Sequence, residues 1–121
     1  MGVLERLRLD DKIIIVTGAG RGLGREMALA LADAGADLVA AARTQAQIDE
    51  TASMVRAKGR RCMAVSTDVT DSTSVNAMVD AVIAEFGRID VLVNNAGGAS
   101  SGWNKPIEAL TDAQWRSGVD L

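Results

Sequence analysis

The densest chemical signal in the chain is the run Thr17-Gly-Ala-Gly-Arg-Gly-Leu-Gly24, directly after the apolar stretch Lys12-Ile-Ile-Ile-Val16. Glycine has no β-carbon, so Gly18, Gly20, Gly22 and Gly24 can bring backbone N–H groups close to a charged ligand. A helix starting at Gly22 would add the unpaired N–H groups and positive dipole of its first turn, with Arg21 and Leu23 beside them. A phosphate-bearing ligand fits that chemistry. The spacing is specific: G-x-G-x-x-G fails, because Leu23 and Arg25 stand where its last glycine would fall, whereas Gly18, Gly22 and Gly24 fit G-x-x-x-G-x-G. A glycine run alone could equally be a tight strand-to-helix turn.

Three further groups stand where strands should end. Arg43 follows the apolar run Ala36 to Ala42, Asp68-Val69 follows Arg61 to Thr67, and Asn94-Asn95-Ala96-Gly97 follows Ile89 to Val93. Arg21 and Arg43 could be solvated surface cations, Asp68 could serve helix entry with Thr70 and Asp71, and Asn-Ala-Gly could be a simple turn. The pairs Asp10-Asp11 and Asp49-Glu50 fall in segments expected to be exposed, where solvated charge is the expected reading. The chain contains no histidine and no tyrosine, so two common proton-transfer groups are missing from it. There is no Cys/His cluster to suggest a metal site.

The elements that must position these groups alternate. The first strand is Lys12 to Val16. A helix from about Gly22 to Ala34 carries Leu23, Met27, Ala30, Leu31 and Ala34 on one face, with Gly35 to end it. Ala36 to Ala42 is the second strand. Thr44 and Gln47 make a capping box for a helix through about Lys58, with Ile48, Ala52 and Val55 inward and Gly59 closing it. Arg61 to Thr67 is the third strand. Asp71 caps a helix reaching Phe86, with Val75, Met78, Val79, Val82, Ile83 and Phe86 at helical period and Gly87 after it. Ile89 to Val93 is the fourth strand, nearly continuous in apolar residues as for a strand buried on both faces. A loop over Gly98 to Pro106 precedes another capping box, Thr111 with Gln114, for a helix from about Asp112. Right-handed crossovers give a parallel α/β sheet of Rossmann type, doubly wound, with strand order 3-2-1-4. Ligands bind at the carboxyl ends of such strands.

Composition sets outer limits. The chain has 121 residues, one domain's length, with 48% hydrophobic and 24% charged residues and a net charge of −3. No general attraction to nucleic acid or an anionic membrane is expected. No apolar run approaches a membrane span and the N-terminus lacks a signal-peptide core, so the expected location is cytoplasmic. Cys62, the single cysteine, reads as a buried strand residue. Trp103, Trp115, Met27, Met54, Met63 and Met78 read as packing residues.

Taken together, Thr17, the glycines at 18, 22 and 24, and Asn94-Asn95-Ala96-Gly97 resemble the short-chain dehydrogenase/reductase family over nearly the whole chain. The resemblance implies nicotinamide dinucleotide binding by Gly18, Gly20, Arg21, Gly22, Leu23, Gly24, Arg43, Asp68, Val69, Asn95, Ala96 and Gly97. Asp68 and the Val69 backbone would meet adenine, Asn95 the cofactor, and Asn94 the scaffold. NAD-preferring relatives carry an acidic residue at the end of the second strand. Ala42 stands there, followed by Arg43, so NADP (NADPH) is expected over NAD, with Arg21 as a second cation near the 2′-phosphate. The family's Tyr-x-x-x-Lys pair cannot occur in a chain without tyrosine, and Lys12, Lys58 and Lys105 match nothing in it. No catalytic residue is assigned.

The family sheet continues beyond the fourth strand, which implies that 1–121 is a single NADP-binding domain, incomplete at its C-terminus, with an asparagine next after Leu121 in the parent protein. The intact protein would interconvert a small-molecule carbonyl and its alcohol, as a homo-oligomer, and this chain alone would be inactive. The alternative is a stand-alone, non-catalytic dinucleotide-binding or regulatory module.

Overall fold

The computed structural model describes residues 8–96. Four parallel strands form the sheet: β1 (Ile13–Thr17), β2 (Asp37–Ala42), β3 (Cys62–Ser66) and β4 (Val91–Val93), in the order β3-β2-β1-β4. Three helices cross between them, α1 (Gly22–Asp33), α2 (Gln45–Ala57) and α3 (Ser72–Phe86). The sequence expectation of a Rossmann-type parallel sheet in the order 3-2-1-4 is met. Residue Val16 of β1 lies beside Ala40 of β2 and Val93 of β4, so the carboxyl ends of the strands share one edge of the sheet.

Alternation along β1 explains the two layers. Ile14 and Val16 face one side, with Leu38 and Ala40 of β2, against α1 and α2. Ile13 and Ile15 face the other side, with Val39 and Ala41, against Met78 and Val82 of α3. Every β1 residue is buried, as expected of a central strand covered on both faces. Asp37 opens β2 in a buried position, where its carboxylate accepts the Arg61 backbone N–H at 3.0 Å and pairs with the Arg60 and Arg61 guanidiniums at 3.1 and 3.2 Å. Cys62 is buried in β3, and that burial pushes its thiol up to about 11.

Some sequence expectations shift. The buried positions of α1 are Gly24, Ala28 and Ala32, four residues apart, while Met27 and Leu31 are half-buried and Leu23 and Ala30 are exposed. The helix lies on the sheet through its smallest side chains, and a pattern read from the large apolar residues therefore points about a third of a turn away. Thr44 precedes α2 as expected, but its side chain makes no capping bond to the helix. Ile48, Ala52 and Val55 do face the core, joined by Thr51. Asp71 caps α3 by accepting the Thr73 N–H at 2.9 Å, and Gly87 ends that helix in left-handed conformation. On α3, Ile83 is exposed despite its place in the apolar period. The fourth strand covers Val91–Val93 only, and although its run is as apolar as that of a strand buried on both faces, Val91 and Leu92 are exposed. β4 pairs with β1 and lies at the sheet's edge among the described residues. The loop over 98–106 and the helix from 112 lie outside the described residues.

Candidate functional site

The glycine turn is held by backbone packed on backbone. A β-carbon on Gly24 would run into the Gly18 carbonyl oxygen and lie 2.6 Å from Asn95 Nδ2. One on Gly18, which has φ +67°, would lie 3.1 Å from both Ala96 Cα and the Asn95 oxygen. Gly22 is different: its φ is +57°, and among the described residues nothing beyond its chain neighbours and its own helix backbone lies within 4 Å of where a β-carbon would be. Gly18 and Gly24 serve close approach, while Gly22 serves backbone conformation.

Thr17 joins this turn to the end of β4. Its side-chain oxygen accepts the N–H groups of Asn95 and Ala96, both at 2.9 Å, and its hydroxyl lies 3.3 Å from the Val93 carbonyl and from Asn94 Oδ1. Composition and spacing marked Thr17 only as a neighbour of the glycines; the structure makes it the tie between the two motifs. Asn94, expected as scaffold, places its Oδ1 3.3 Å from that hydroxyl.

Between the strand ends and the turn lies a cavity of about 560 Å³. Gly18, Gly20, Arg21, Gly22, Leu23, Gly24, Arg43, Val69, Asn95 and Ala96 line it, so ten of the twelve expected site residues come together there. Asp68 is not among the lining residues. Its Oδ1 accepts the Thr70 hydroxyl at 2.6 Å and the Thr70 N–H at 3.0 Å, which holds its carboxyl below the usual carboxylate range, with the Arg43 charge adding to the effect. Gly97 lies outside the described residues.

The wall also includes Ala42, Thr44, Gln47, Thr67 and Thr70, of which the last four were not expected as site residues. Position was the available signal: Thr67 closes the third strand as read from the sequence, and Thr44 lies two residues past the second. The turn after β2 is braced by the Thr67 N–H on the Ala42 carbonyl at 2.8 Å and the Ser66 hydroxyl on the Arg43 carbonyl at 3.2 Å. Among the described lining residues there are two cations, Arg21 and Arg43, and no carboxylate.

Two helices begin at this cavity without side-chain caps. Arg21, at the start of α1, has extended backbone and makes no side-chain cap bond, and the first turn of α1 has no acidic residue. The same holds for Thr44 and α2. Their N-terminal N–H groups and dipoles favour an anion. A nucleotide's phosphates match the donor set: backbone amides at a turn that excludes side chains, and two guanidiniums.

The family model for short chain dehydrogenases matches residues 12–121. The chain belongs to the short-chain dehydrogenase/reductase family. Within this family it is 46% identical to the short chain dehydrogenase/reductase astE of Aspergillus oryzae over 120 residues, which cover 97% of this chain and 45% of that protein. Its fold is similar to that of a 7α-hydroxysteroid dehydrogenase complexed with NADH and 7-oxo glycochenodeoxycholic acid, with TM-score 0.86 and 34% identity, covering 100% of this chain and 46% of that one. It is also similar to the L-sorbose reductase of Gluconobacter frateurii complexed with NADPH and L-sorbose, with TM-score 0.78 and 33% identity, covering 92% of this chain and 41% of that one. The chain thus spans less than half the length of these family members, which include both an NADH and an NADPH complex. Among the described residues, no helix is long and apolar enough to cross a membrane.

Proposed function

We propose that this chain is the NADP-binding part of a short-chain oxidoreductase and that residues 1–121 act as one cofactor-holding domain. The observation that carries the choice of NADP is the charge of the cavity wall: Arg21 and Arg43 line it, Ala42 stands at the end of β2, and no described lining residue is acidic. A 2′-phosphate gains charge-assisted hydrogen bonds from guanidinium, whereas a carboxylate at the same place would repel it. The pyrophosphate would lie over the glycine turn at the start of α1, taking N–H groups from the backbone of Gly18 to Gly24. Asp68 and Val69 would meet adenine, and Asn95, Ala96 and Gly97 the ribose and nicotinamide side.

NADPH would supply a hydride. In the intact protein that hydride would reduce a small-molecule carbonyl, or its return from an alcohol would regenerate the reduced cofactor. The residues of this chain bind and orient; none is assigned to proton transfer, and the chain contains no tyrosine or histidine. The intact protein is proposed to be a cytoplasmic homo-oligomer.

Titration of the purified chain with NADPH, followed by nicotinamide fluorescence, tests the reading. Saturable binding is expected, with no oxidation of NADPH above background across a broad carbonyl panel. Absence of binding by folded chain contradicts the cofactor reading, and turnover contradicts the assignment of proton transfer to residues elsewhere.

A further inference from the structure

A third arginine stands beside the same turn but outside the cavity wall. Arg25, in the first turns of α1, has its side chain about four-fifths buried, at 19% exposure, and turns its Nε and Nη2 donors to protein acceptors. Its Nη2 donates to the Gly20 carbonyl at 2.6 Å and to the Gln47 carbonyl at 3.1 Å, and its Nε donates to Thr51 Oγ1 at 3.0 Å. Thr51 is fully buried on the core face of α2, and its hydroxyl lies 2.8 Å from the Ala19 carbonyl and 3.2 Å from that of Gln47. Glu50 approaches the guanidinium at 3.5 Å. Thus one guanidinium and one hydroxyl bind two successive carbonyls of the glycine turn to the first turns of α2.

The consequence follows from peptide geometry. In a trans peptide the carbonyl and the next N–H point in opposite directions, and the described residues contain no cis peptide bond. Fixing the Ala19 and Gly20 carbonyls toward α2 therefore fixes the Gly20 and Arg21 N–H groups away from it. The same contacts set the distance between the glycine turn and the start of α2, where Arg43, Thr44 and Gln47 line the cavity. A ligand that reaches both bodies depends on that distance, and a ligand held at the β2 end alone depends on it far less.

We propose that Arg25, through Thr51, is a positioning residue that aims the amides of the glycine turn and sets its spacing from α2, and that it is not a phosphate ligand. This rests on the dinucleotide reading above.

The test compares two ligands on the whole chain: NADPH, whose pyrophosphate needs the aimed amides of the glycine turn, and 2′-AMP, whose 2′-phosphate reaches the Arg43 and Arg21 side chains but which has no pyrophosphate for those amides. Arg25→Lys is expected to weaken NADPH about tenfold, the loss of a charge-assisted hydrogen bond, while 2′-AMP stays within about threefold. Thr51→Val should reproduce that split and Thr51→Ser should restore NADPH binding. The double variant Arg25→Lys/Thr51→Val should lose about as much as either single one, because both act through one set of contacts. Equal weakening of both ligands, as general loosening of the fold would give, overturns the proposal, and so does unchanged NADPH binding. A loss mainly in 2′-AMP affinity overturns it in favour of direct phosphate contact. Binding of neither ligand by the folded wild-type chain instead overturns the dinucleotide reading, before any variant is made.

Discussion

Helices α1 and α3 both follow the carboxyl end of a strand, yet they begin differently. Asp71 closes α3 with its own side chain, accepting the Thr73 N–H at 2.9 Å. Arg21 leaves the start of α1 without a side-chain cap, at a cavity whose described wall carries two cations and no carboxylate. The same need, to satisfy the first N–H groups of a helix, is met within the chain at one end and left to solvent or a ligand at the other. The contrast separates an end closed by its own side chain from an end that makes no side-chain cap bond at the cavity wall. Helix α2 belongs with α1, since Thr44 makes no capping bond.

Substitutions can break this comparison at several levels. The largest effect is expected from Gly24→Ala, whose β-carbon meets the Gly18 carbonyl and Asn95; loss of about 3 kcal/mol or more in denaturant unfolding is expected, since backbone must move. Gly22→Ala, with open space and φ +57°, should cost only about 1–2 kcal/mol of conformational strain. Equal costs at the two glycines would show that the turn is not set by close packing against Gly18.

Next in size, Asp71→Ala should remove about 1 kcal/mol of stability, the worth of a helix cap, and leave NADPH affinity unchanged. Thr44→Ala, at a helix without a capping bond, should stay within about 0.5 kcal/mol in the same unfolding experiment. A cap-sized loss at Thr44 would erase the distinction between α2 and α3.

The smallest effect concerns pH. Asp90 Oδ2 accepts the Ile13 N–H at 2.9 Å, tying the approach to β4 to the start of β1, and this bond holds its carboxyl below the usual range, with help from Arg88 and Lys12. Asp68 is held low in the same direction by Thr70. A depressed folded pKa means that the stabilisation is present above the ordinary aspartate value of about 3.9 and is lost as pH falls through the lower folded values. Thermal midpoints should therefore fall below about pH 4, and Asp90→Asn, which keeps an acceptor but does not titrate, should flatten that fall. An unchanged pH profile in Asp90→Asn would remove Asp90 from the account.

What was legible in the sequence depended on how directly one residue reports one constraint. Gly18, Gly22 and Gly24 could be read because backbone contact and left-handed conformation admit few residue types, and Asp71 and Gly87 because caps act within a few residues. The inward face of α1 was missed because Gly24, Ala28 and Ala32 bury little surface each, so their closeness to the sheet is invisible beside Leu23, which is 69% exposed. Thr17 and Thr51 were missed as polar ties because their partners lie 76 or more and 26 or more residues away, apart from the Thr51 bond within its own helix. The capping box at Thr44 was legible and not formed. The proposed cofactor preference draws on Ala42, Arg43 and Arg21, which follow two different strands and line one cavity because the topology brings those strand ends side by side.

The most direct test of the central claim is the ratio of NADH to NADPH dissociation constants for the wild-type chain and for Arg43→Ala, by equilibrium binding at one fixed ionic strength. Loss of one guanidinium from a 2′-phosphate is worth about tenfold or more, so wild type should favour NADPH by at least that factor and Arg43→Ala should weaken NADPH alone. Equal affinities in the wild-type chain, tighter NADH, or a parallel loss of both cofactors on Arg43→Ala would contradict an NADP site at the end of β2.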